Sequence, residues 1–238
     1  MVARLKQEHE RLRVAIIAAA DPEYRRGSLM VAPTEQRVHG ARTPHLRQLA
    51  KSWHRANRQA APDEVLALVE SLWDGESRDE RVLGLMILWL HPEIVAGLER
   101  ARFDRWRADI DNWGTCDIVA GILGTWAMSS PENRLPYLEE LVGDRDMWSR
   151  RLGLVASVPL NRASNAHSSW TLSQVDRVLD HREQMITKAV SWVLRTMTKH
   201  DAAAVEAYVQ ANADRMAALP RREVRNKLRT GRKSGRAG

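Results

Sequence analysis

The sequence predicts an all-helical protein built from tandem pairs of helices, and three observations support this fold class. Apolar residues recur at helical spacing through almost the whole chain, helix-starting signals are frequent, and one motif returns every 34 to 37 residues. Strand-like alternation of apolar and polar residues is scarce. The length of 238 residues suits such an array, and we expect residues 1–230 to form a single domain followed by a disordered basic tail, 231–238.

Caps and prolines give the predicted start of each helix in turn. In chain order they predict helices over residues 45–56 behind Thr43-Pro44, 62–73 behind Pro62, 81–90 behind a Ser77/Glu80 capping box, a helix after His91-Pro92, 135–142 behind Pro131, 172–179 capped by Thr171, 202–209 capped by Asp201, and 221–228 behind Pro220. Residues 161–169 are rich in Asn and Ser and are predicted to form a loop.

A motif of one polar residue followed by small and branched apolar residues marks the predicted repeats. Its leading residues are Arg47, Arg81, Asp117, Arg151, Lys188 and, more weakly, Arg225. Helix-pair repeats of the HEAT type have a similar period. If each leading residue starts the second helix of its repeat, the six line one surface, and five of them are basic. Cations at a helix N-terminus oppose the helix dipole, so the row favours an external anion over the alternative of ordinary solvated positions.

The net charge of +7 is concentrated near the C-terminal end. Residues 221–236 contain eight basic residues and one acidic residue, whereas residues 1–219 contain 29 of each sign. If the body binds a polyanion, its charges must therefore be sorted onto one face. Arg exceeds Lys by 31 to 6, which favours bidentate phosphate contacts and is equally typical of a GC-rich genome.

Several protein classes are disfavoured by what the sequence lacks. The longest apolar run, residues 82–90, is too short to cross a bilayer, and we expect no signal peptide. A single cysteine excludes an internal disulfide and is typical of the cytoplasm, where we expect the protein to be a monomer. No dinucleotide fingerprint, P-loop or zinc motif is present, so we expect neither a cofactor nor a metal.

The remaining candidates for chemistry are carboxylate, tryptophan and basic side chains. Trp113 and Asp117 are four residues apart, so a helix places them on one face. A second predicted stripe, along another helix, consists of Lys188, Trp192, Arg195 and Lys199. An indole among three cations is poorly suited to a core. Arg150 and Arg151 add two guanidinium groups at the intervening repeat.

Four motifs in this order resemble the DNA alkylation repair enzyme family, the HEAT-like-repeat DNA glycosylases. They are Gly40-Ala-Arg-Thr-Pro44-His-Leu-Arg47, Trp113-Gly-Thr-Cys-Asp117, Trp148-Ser-Arg-Arg151 and Lys188-Ala-Val-Ser-Trp192-Val-Leu-Arg195, with a similar ending over residues 222–231. The resemblance covers about residues 28–231. It implies a right-handed superhelical solenoid of about six HEAT-like helix-pair repeats with a concave cationic face.

The resemblance also implies an activity and the residues that carry it. The family excises cationic purines, alkylated at N3 or N7, from duplex DNA by hydrolysing the N-glycosidic bond. Its catalytic pair of tryptophans and its aspartate fall on Trp113, Trp192 and Asp117. The DNA-binding candidates are Arg151, Arg195 and Lys199, together with Lys188, Arg150, Arg47 and Arg81 from the stripe and the repeats.

The chain departs from the family pattern at Asn112, Gly114 and Thr196-Met197, where members often have an aromatic residue, an acidic residue and an acidic–aromatic pair. Two alternatives to a glycosylase stay open. One is a non-catalytic HEAT-like module that binds distorted or branched DNA, and the other is a helical scaffold for an acidic protein. Excision of 7-methylguanine from duplex DNA tests the first alternative, and the salt dependence of DNA binding tests the second.

Overall fold

The computed structural model describes residues 2–234 and shows an all-helical chain, which confirms the predicted fold class. Within these residues the helices are α1 (Val2–Ala18), α2 (Pro22–Val31), α3 (Thr43–Ala56), α4 (Pro62–Trp73), α5 (Arg78–Leu88), α6 (Pro92–Ala96), α7 (Arg100–Ala108), α8 (Trp113–Met128), α9 (Pro131–Val142), α10 (Met147–Val155), α11 (Ser157–Ala163), α12 (Ser168–Val178), α13 (Gln184–Met197), α14 (Ala202–Ala211) and α15 (Ala218–Thr230). In the described range, no helix is both long and apolar enough to cross a membrane.

The chain divides into two compact units, Met1–Ile122 and Leu123–Gly238, and α8 runs through the boundary as one continuous helix. In the first unit α4 packs against α5, α3 packs against α5, and α1 contacts both α4 and α5. The buried apolar side chains of these helices include Leu12, Ile16, Leu68, Leu72, Trp73, Leu83 and Leu88. Burial of this apolar surface is the main favourable contribution to the stability of the unit.

In the second unit the helices pack in a series. The helix α9 contacts α10, α10 contacts α13, and α13 contacts α15, while α11, α12 and α14 flank α13. The buried apolar side chains include Leu138, Leu141, Leu152, Leu154, Val193, Leu194 and Val224. Each helix therefore buries one apolar face against a neighbour that lies nearby in the sequence.

Each leading residue of the sequence motif lies in a different helix. The helices concerned are α3, α5, α8, α10, α13 and α15. The first five leading residues occupy the fourth or fifth position of their helix, whereas Arg225 is the eighth residue of α15. In the first unit α3 contacts α5, and in the second unit α13 contacts both α10 and α15.

Local capping signals locate several helix starts correctly. The helix α4 spans Pro62–Trp73, as predicted. At the start of α5, Ser77 Oγ accepts the N–H of Glu80 at 3.3 Å, and the Glu80 carboxylate accepts the N–H of Ser77 at 2.9 Å, which confirms the capping box. At the start of α14, Asp201 Oδ1 accepts the N–H of Ala204 at 3.4 Å. These signals succeed because each cap and its partner are three residues apart, so no distant contact is required.

The predicted cap at Thr171 is wrong, and so is most of the loop predicted over residues 161–169. The helix α11 continues to Ala163 and α12 begins at Ser168, so Thr171 lies buried inside α12. The Asn161 side-chain amide donates to the carbonyl of Ser157 at 2.8 Å and to Thr171 Oγ1 at 2.7 Å. These hydrogen bonds from the Asn161 amide nitrogen are buried, so Asn161 and Thr171 are not the mark of a surface loop.

The last described residues follow directly from the end of α15. Gly231 has a φ of 71°, in the left-handed region that favours glycine, and its N–H donates to the carbonyl of Lys227 at 2.9 Å. Beyond this cap, Lys233 Nζ lies 3.4 Å from Glu223 Oε1. Residues 235–238 of the predicted tail lie outside the described residues, so the disorder of the tail stays a prediction.

Candidate nucleic-acid interface

The start of α8 is fixed by a buried asparagine. Asn112 Oδ1 accepts the N–H of Thr115 at 2.9 Å, and its amide nitrogen donates to Asp111 Oδ1 at 2.8 Å. Asn112 is therefore the N-cap of α8, and Trp113 is the first helical residue. The asparagine that departs from the family pattern thus has a structural role, which is to define where the candidate site begins.

Trp113 and Asp117 lie one turn apart at the N-terminal end of α8, and each is half-buried. Among their neighbours on the helix, Cys116, Val119 and Ala120 are fully buried. Trp113 and Asp117 therefore lie at the edge of the buried part of α8, and each side chain is partly exposed. The structure therefore confirms the helical spacing from which their shared face was predicted.

The indole of Trp113 is held by the backbone of a distant segment. Its Nε1–H donates to the carbonyl oxygen of Val31, the last residue of α2, at 2.9 Å. Next to this contact, the side chains of Met30 and Val31 are 86% and 64% exposed. The end of α2 therefore provides a fixed hydrogen-bond acceptor for the indole and two uncovered apolar side chains beside it.

Asp111 holds the segment that follows α2. Its carboxylate accepts hydrogen bonds from Thr34 Oγ1 at 2.7 and 2.8 Å and from the N–H of Glu35 at 2.8 Å. Burial opposes ionisation of this carboxyl, but hydrogen bonds from Asn112, Thr34 and the Glu35 backbone outweigh it and lower the pKa of Asp111 below its ordinary value. Asp111 is thus an ionised clamp two residues before Trp113.

Arg78 holds the same segment from its other end. Its guanidinium donates to Ser28 Oγ at 2.7 Å and to the carbonyl of Ala32 at 3.3 Å, and the side chain is buried. Residues 28–35 are therefore pinned on both sides of the Val31 carbonyl that accepts the Trp113 indole. Sequence reasoning missed Asp111 and Arg78, and the available signal for Asp111 was the pair of short polar residues, Asp111 and Asn112, directly before α8.

The two adjacent arginines of α10 are both buried. Arg150 is 8% exposed and Arg151 is 4% exposed. The Arg150 guanidinium donates to the carbonyls of Asp144 and Arg145 at 3.0 and 2.7 Å and forms an ion pair with Glu183 at 2.6 Å. These three contacts give Arg150 a structural role within the second unit.

Arg151 is held by the first turn of α13. Its Nη1–H donates to the carbonyl oxygen of Met185 at 2.6 Å. This contact joins the leading residue of the motif in α10 to the helix that carries the next one, Lys188.

The stripe predicted on α13 is only partly formed. Lys188 is exposed and Trp192 is half-buried on this helix, but α13 ends at Met197. Lys199 consequently lies in the turn after the helix, so its predicted place on a helical stripe is wrong. The sequence does not reveal this helix end, because Thr198 and its neighbours include no glycine or proline.

Arg195 faces another helix of its unit. Its Nε–H donates to Ser191 Oγ at 3.1 Å, and the same nitrogen lies 3.6 Å from a carboxylate oxygen of Glu223 in α15. Burial lowers the pKa of Arg195, and the nearby Glu223 carboxylate opposes this effect. Arg195 thus combines a contact between α13 and α15 with a half-buried position beside Trp192 on the helix.

The two basic candidates of the first unit, Arg47 and Arg81, differ in exposure and in their contacts. Arg47 is exposed on α3. In contrast, Arg81 lies with its guanidinium carbon 5.0 Å from the centre of the Trp73 ring and with Nη1 3.8 Å from Asp109 Oδ2. The exposed candidates for DNA contact are therefore Arg47, Lys188 and Lys199, whereas Arg81, Arg150, Arg151 and Arg195 also hold parts of the protein together.

A comparison with protein families identifies the family of this chain. The sequence signature of one family, described as DNA alkylation repair enzyme, matches residues 12–228. The chain belongs to this family. Trp113, Asp117 and Trp192 all lie within the matched residues. Membership of a DNA repair family makes DNA the partner of the protein, and no protein of curated function matches the sequence.

Solved structures with low sequence identity share the fold of this chain. A structure described as a predicted DNA alkylation repair enzyme from Enterococcus faecalis has 17% identity and a TM-score of 0.70, covering 89% of this chain and 97% of its own. AlkD2 from Streptococcus mutans has 13% identity and a TM-score of 0.60, covering 94% of this chain and 96% of its own. At these sequence identities, the two comparisons show that the chains share a fold.

Proposed function

We propose that this family member is a DNA glycosylase that excises cationic purines, alkylated at N3 or N7, from duplex DNA. The observation that carries the proposal is the start of α8, where the Asp117 carboxylate lies one turn from an indole that the Val31 carbonyl holds in place. In this proposal Trp192 is the second catalytic tryptophan. The protein acts as a cytoplasmic monomer on duplex DNA that contains alkylated bases.

The chemistry of the lesion explains why these side chains suffice. A purine alkylated at N3 or N7 carries a positive charge and is already a good leaving group, so a strong general acid is not required. The transition state places positive charge on the sugar, and a carboxylate stabilises that charge. Asp117 supplies the carboxylate and also orients or deprotonates the attacking water. The indole faces of Trp113 and Trp192 attract a cationic sugar or base.

The DNA contacts follow from the exposed cations. Arg47, Lys188 and Lys199 are exposed and contact the phosphate backbone in this proposal. Arg81, Arg150, Arg151 and Arg195 are less exposed, and they contact DNA with the parts of their guanidinium groups that the intramolecular contacts leave accessible. The contacts to phosphate position the protein, and recognition of the lesion depends on the charge of the alkylated base.

An excision assay tests the proposal. The substrate is a duplex that carries a single 7-methylguanine, and the products are the free base and an abasic site, which alkali converts to a strand break. We expect excision by the parent protein and none of unmodified guanine in the matched duplex. If the parent binds the duplex with a steep salt dependence but releases no alkylated purine, a non-catalytic DNA-binding module becomes the better interpretation.

A further inference from the structure

The surface between α14 and α15 forms an open groove of about 940 Å³ that the proposed glycosylase site does not use. One wall is the exposed side of α14, and the other is the side of α15 that carries Arg222, Arg225 and Arg229. Ala202, Ala218 and Leu228 contribute apolar surface to the groove, Val209 is buried, and Glu206 adds one exposed carboxylate to the α14 wall. On the opposite side of α15, Pro220 and Val224 are buried, and α15 packs against α13.

Three of the four arginines that line the groove, Arg222, Arg225 and Arg229, are distinguished from the other cations of this region by their lack of partners among the described residues. Within residues 2–234, no hydrogen bond or ion pair engages the guanidinium groups of Arg222, Arg225 and Arg229. By contrast, the nearby cations are occupied: Arg215 pairs with Asp176 and Asp180, Arg221 donates to the carbonyl of Ala213, Lys227 donates to the carbonyl of Gly231, and Lys233 pairs with Glu223. The unpartnered charge is therefore concentrated on one side of one helix.

This row has the spacing of a helix. Arg222, Arg225 and Arg229 occupy positions i, i+3 and i+7, so they extend over about 10 Å along α15 at 1.5 Å per residue. A second helix that lies along α15 would have the same rise per residue, so its side chains would be spaced along the groove as those of α15 are. Acidic residues at i, i+3 or i+4, and i+7 of such a helix would therefore meet the three guanidinium groups in register.

The lining of the groove argues against nucleic acid as its occupant. None of the residues that line it carries an aromatic ring on which a base could stack. Ala218 and Leu228 offer apolar surface, which a phosphate backbone does not bury. A groove with an apolar floor and a row of arginines instead matches a peptide that has both apolar and acidic side chains.

We propose that the groove between α14 and α15 binds an acidic amphipathic helix of a partner protein. The apolar stripe of that helix covers Ala218 and Leu228, and its acidic stripe pairs with Arg222, Arg225 and Arg229. Neutral side chains at the edge of the groove, Gln210 and Asn226, supply hydrogen bonds. This interaction is independent of DNA excision.

The test uses the full chain and a synthetic peptide. The probe is a fluorescein-labelled 15-residue helix with Glu at three positions of one stripe and Leu on the adjoining stripe, and its twin has Gln in place of Glu. Fluorescence anisotropy measures binding to the parent and to the triple variant Arg222→Gln, Arg225→Gln, Arg229→Gln. The control variant Arg25→Gln, Arg26→Gln, Arg58→Gln removes the same number of exposed arginines from the first unit.

We expect the Glu peptide to bind the parent and the control variant alike, and to bind the groove variant at least about tenfold more weakly. The Gln twin should lose a similar factor with the parent. The proposal is overturned if the Glu peptide does not bind the parent at 1 mM, or if the groove variant binds it as well as the control variant does. It is also overturned if an undamaged 12-base-pair duplex displaces the peptide and loses the same factor in the groove variant, because the groove is then a DNA contact. Thermal melting by circular dichroism checks that both variants are folded.

Discussion

The indole Nε1–H of Trp113 donates to the carbonyl oxygen of Val31 at 2.9 Å, across 82 residues of sequence. Because the acceptor is a backbone atom, the contact depends on the path of the chain at residue 31 and not on the identity of its side chain. That path is held by Asp111 on one side and by Arg78 on the other. The orientation of the candidate catalytic indole is therefore a property of the network that positions residues 28–35.

The substitution Asp117→Asn tests the proposed catalytic carboxylate. It keeps the size of the side chain and removes the charge that would stabilise the cationic sugar and activate water. Single-turnover excision of 7-methylguanine should fall by at least about 10²-fold, the low end for a positioned general base. Affinity for the duplex should hold or increase, because one negative charge leaves a surface that faces phosphates.

Opposite changes in excision and binding cannot result from unfolding, which would reduce both. If the Asn variant excises the base at the parent rate, Asp117 is an ordinary residue of the first turns of α8 and the proposed mechanism is wrong.

The substitutions Asp111→Ala and Thr34→Val test the network that supports Trp113. Asp111→Ala leaves Thr34 Oγ1 and the Glu35 N–H without their acceptor, so unfolding free energy should fall by about 1–3 kcal/mol. Thr34→Val removes only the hydroxyl and should cost about 0.5–1.5 kcal/mol. In both variants excision should fall more than DNA affinity does, because the indole loses its fixed orientation.

Urea unfolding and single-turnover excision measure these two effects. The control is Asp214→Ala, which removes an exposed carboxylate from a turn of the second unit and should change neither quantity. An Asp111→Ala protein as stable as the control would show that the clamp contributes nothing.

The histidine pair of the first unit predicts a loss of stability in mildly acidic solution. His91 is buried, and its Nε2 lies 3.1 Å from His54 Nδ1. Burial and the neighbouring His54 lower the pKa of His91 below its ordinary value of 6.5, against the opposing effect of Glu93. The unfolded chain therefore binds the proton more readily, so the stabilisation is complete above about pH 6.5 and is lost as the pH falls through the folded pKa.

Urea unfolding between pH 7.5 and 5 measures this dependence for the parent and for His91→Gln. The variant lacks the titrating group, so its unfolding free energy should vary less with pH over this interval. Identical slopes for the two proteins would mean that His91 does not contribute to the pH dependence.

A comparison of Arg150→Gln with Lys188→Gln separates structural from DNA-binding cations. Arg150→Gln removes contacts to two carbonyls and to Glu183, so unfolding free energy should fall by about 3 kcal/mol. Lys188 is exposed, so its substitution should leave stability unchanged and lower the magnitude of the salt slope of DNA binding by about one. Equal salt slopes for the parent and Lys188→Gln would exclude Lys188 from the DNA contact surface.

The sequence predicts the helices well wherever the signal is local. The Ser77/Glu80 box and the Asp201 cap depend on partners three residues away, and both are present. The pair Trp113 and Asp117 follows from helical spacing alone. These features need no knowledge of what packs against them.

The features that the sequence does not predict depend on distant partners. Thr171 resembles a cap, but its hydroxyl accepts a hydrogen bond from Asn161 inside a buried contact. The burial of Arg150 and Arg151 depends on Glu183 and on the carbonyl of Met185, 33 and 34 residues away. The acceptor for the Trp113 indole is more remote still, 82 residues away, and a backbone carbonyl leaves no trace in the sequence.

Cys116 is the single cysteine of the chain, and it is fully buried in α8, one residue before Asp117. A cysteine introduced at an exposed position, such as Lys188, would therefore be the one thiol that a reagent in solution can reach. The parent protein therefore needs no removal of its own cysteine before disulfide trapping on thiol-tethered DNA. A scan of such cysteines would record, residue by residue, where the duplex lies.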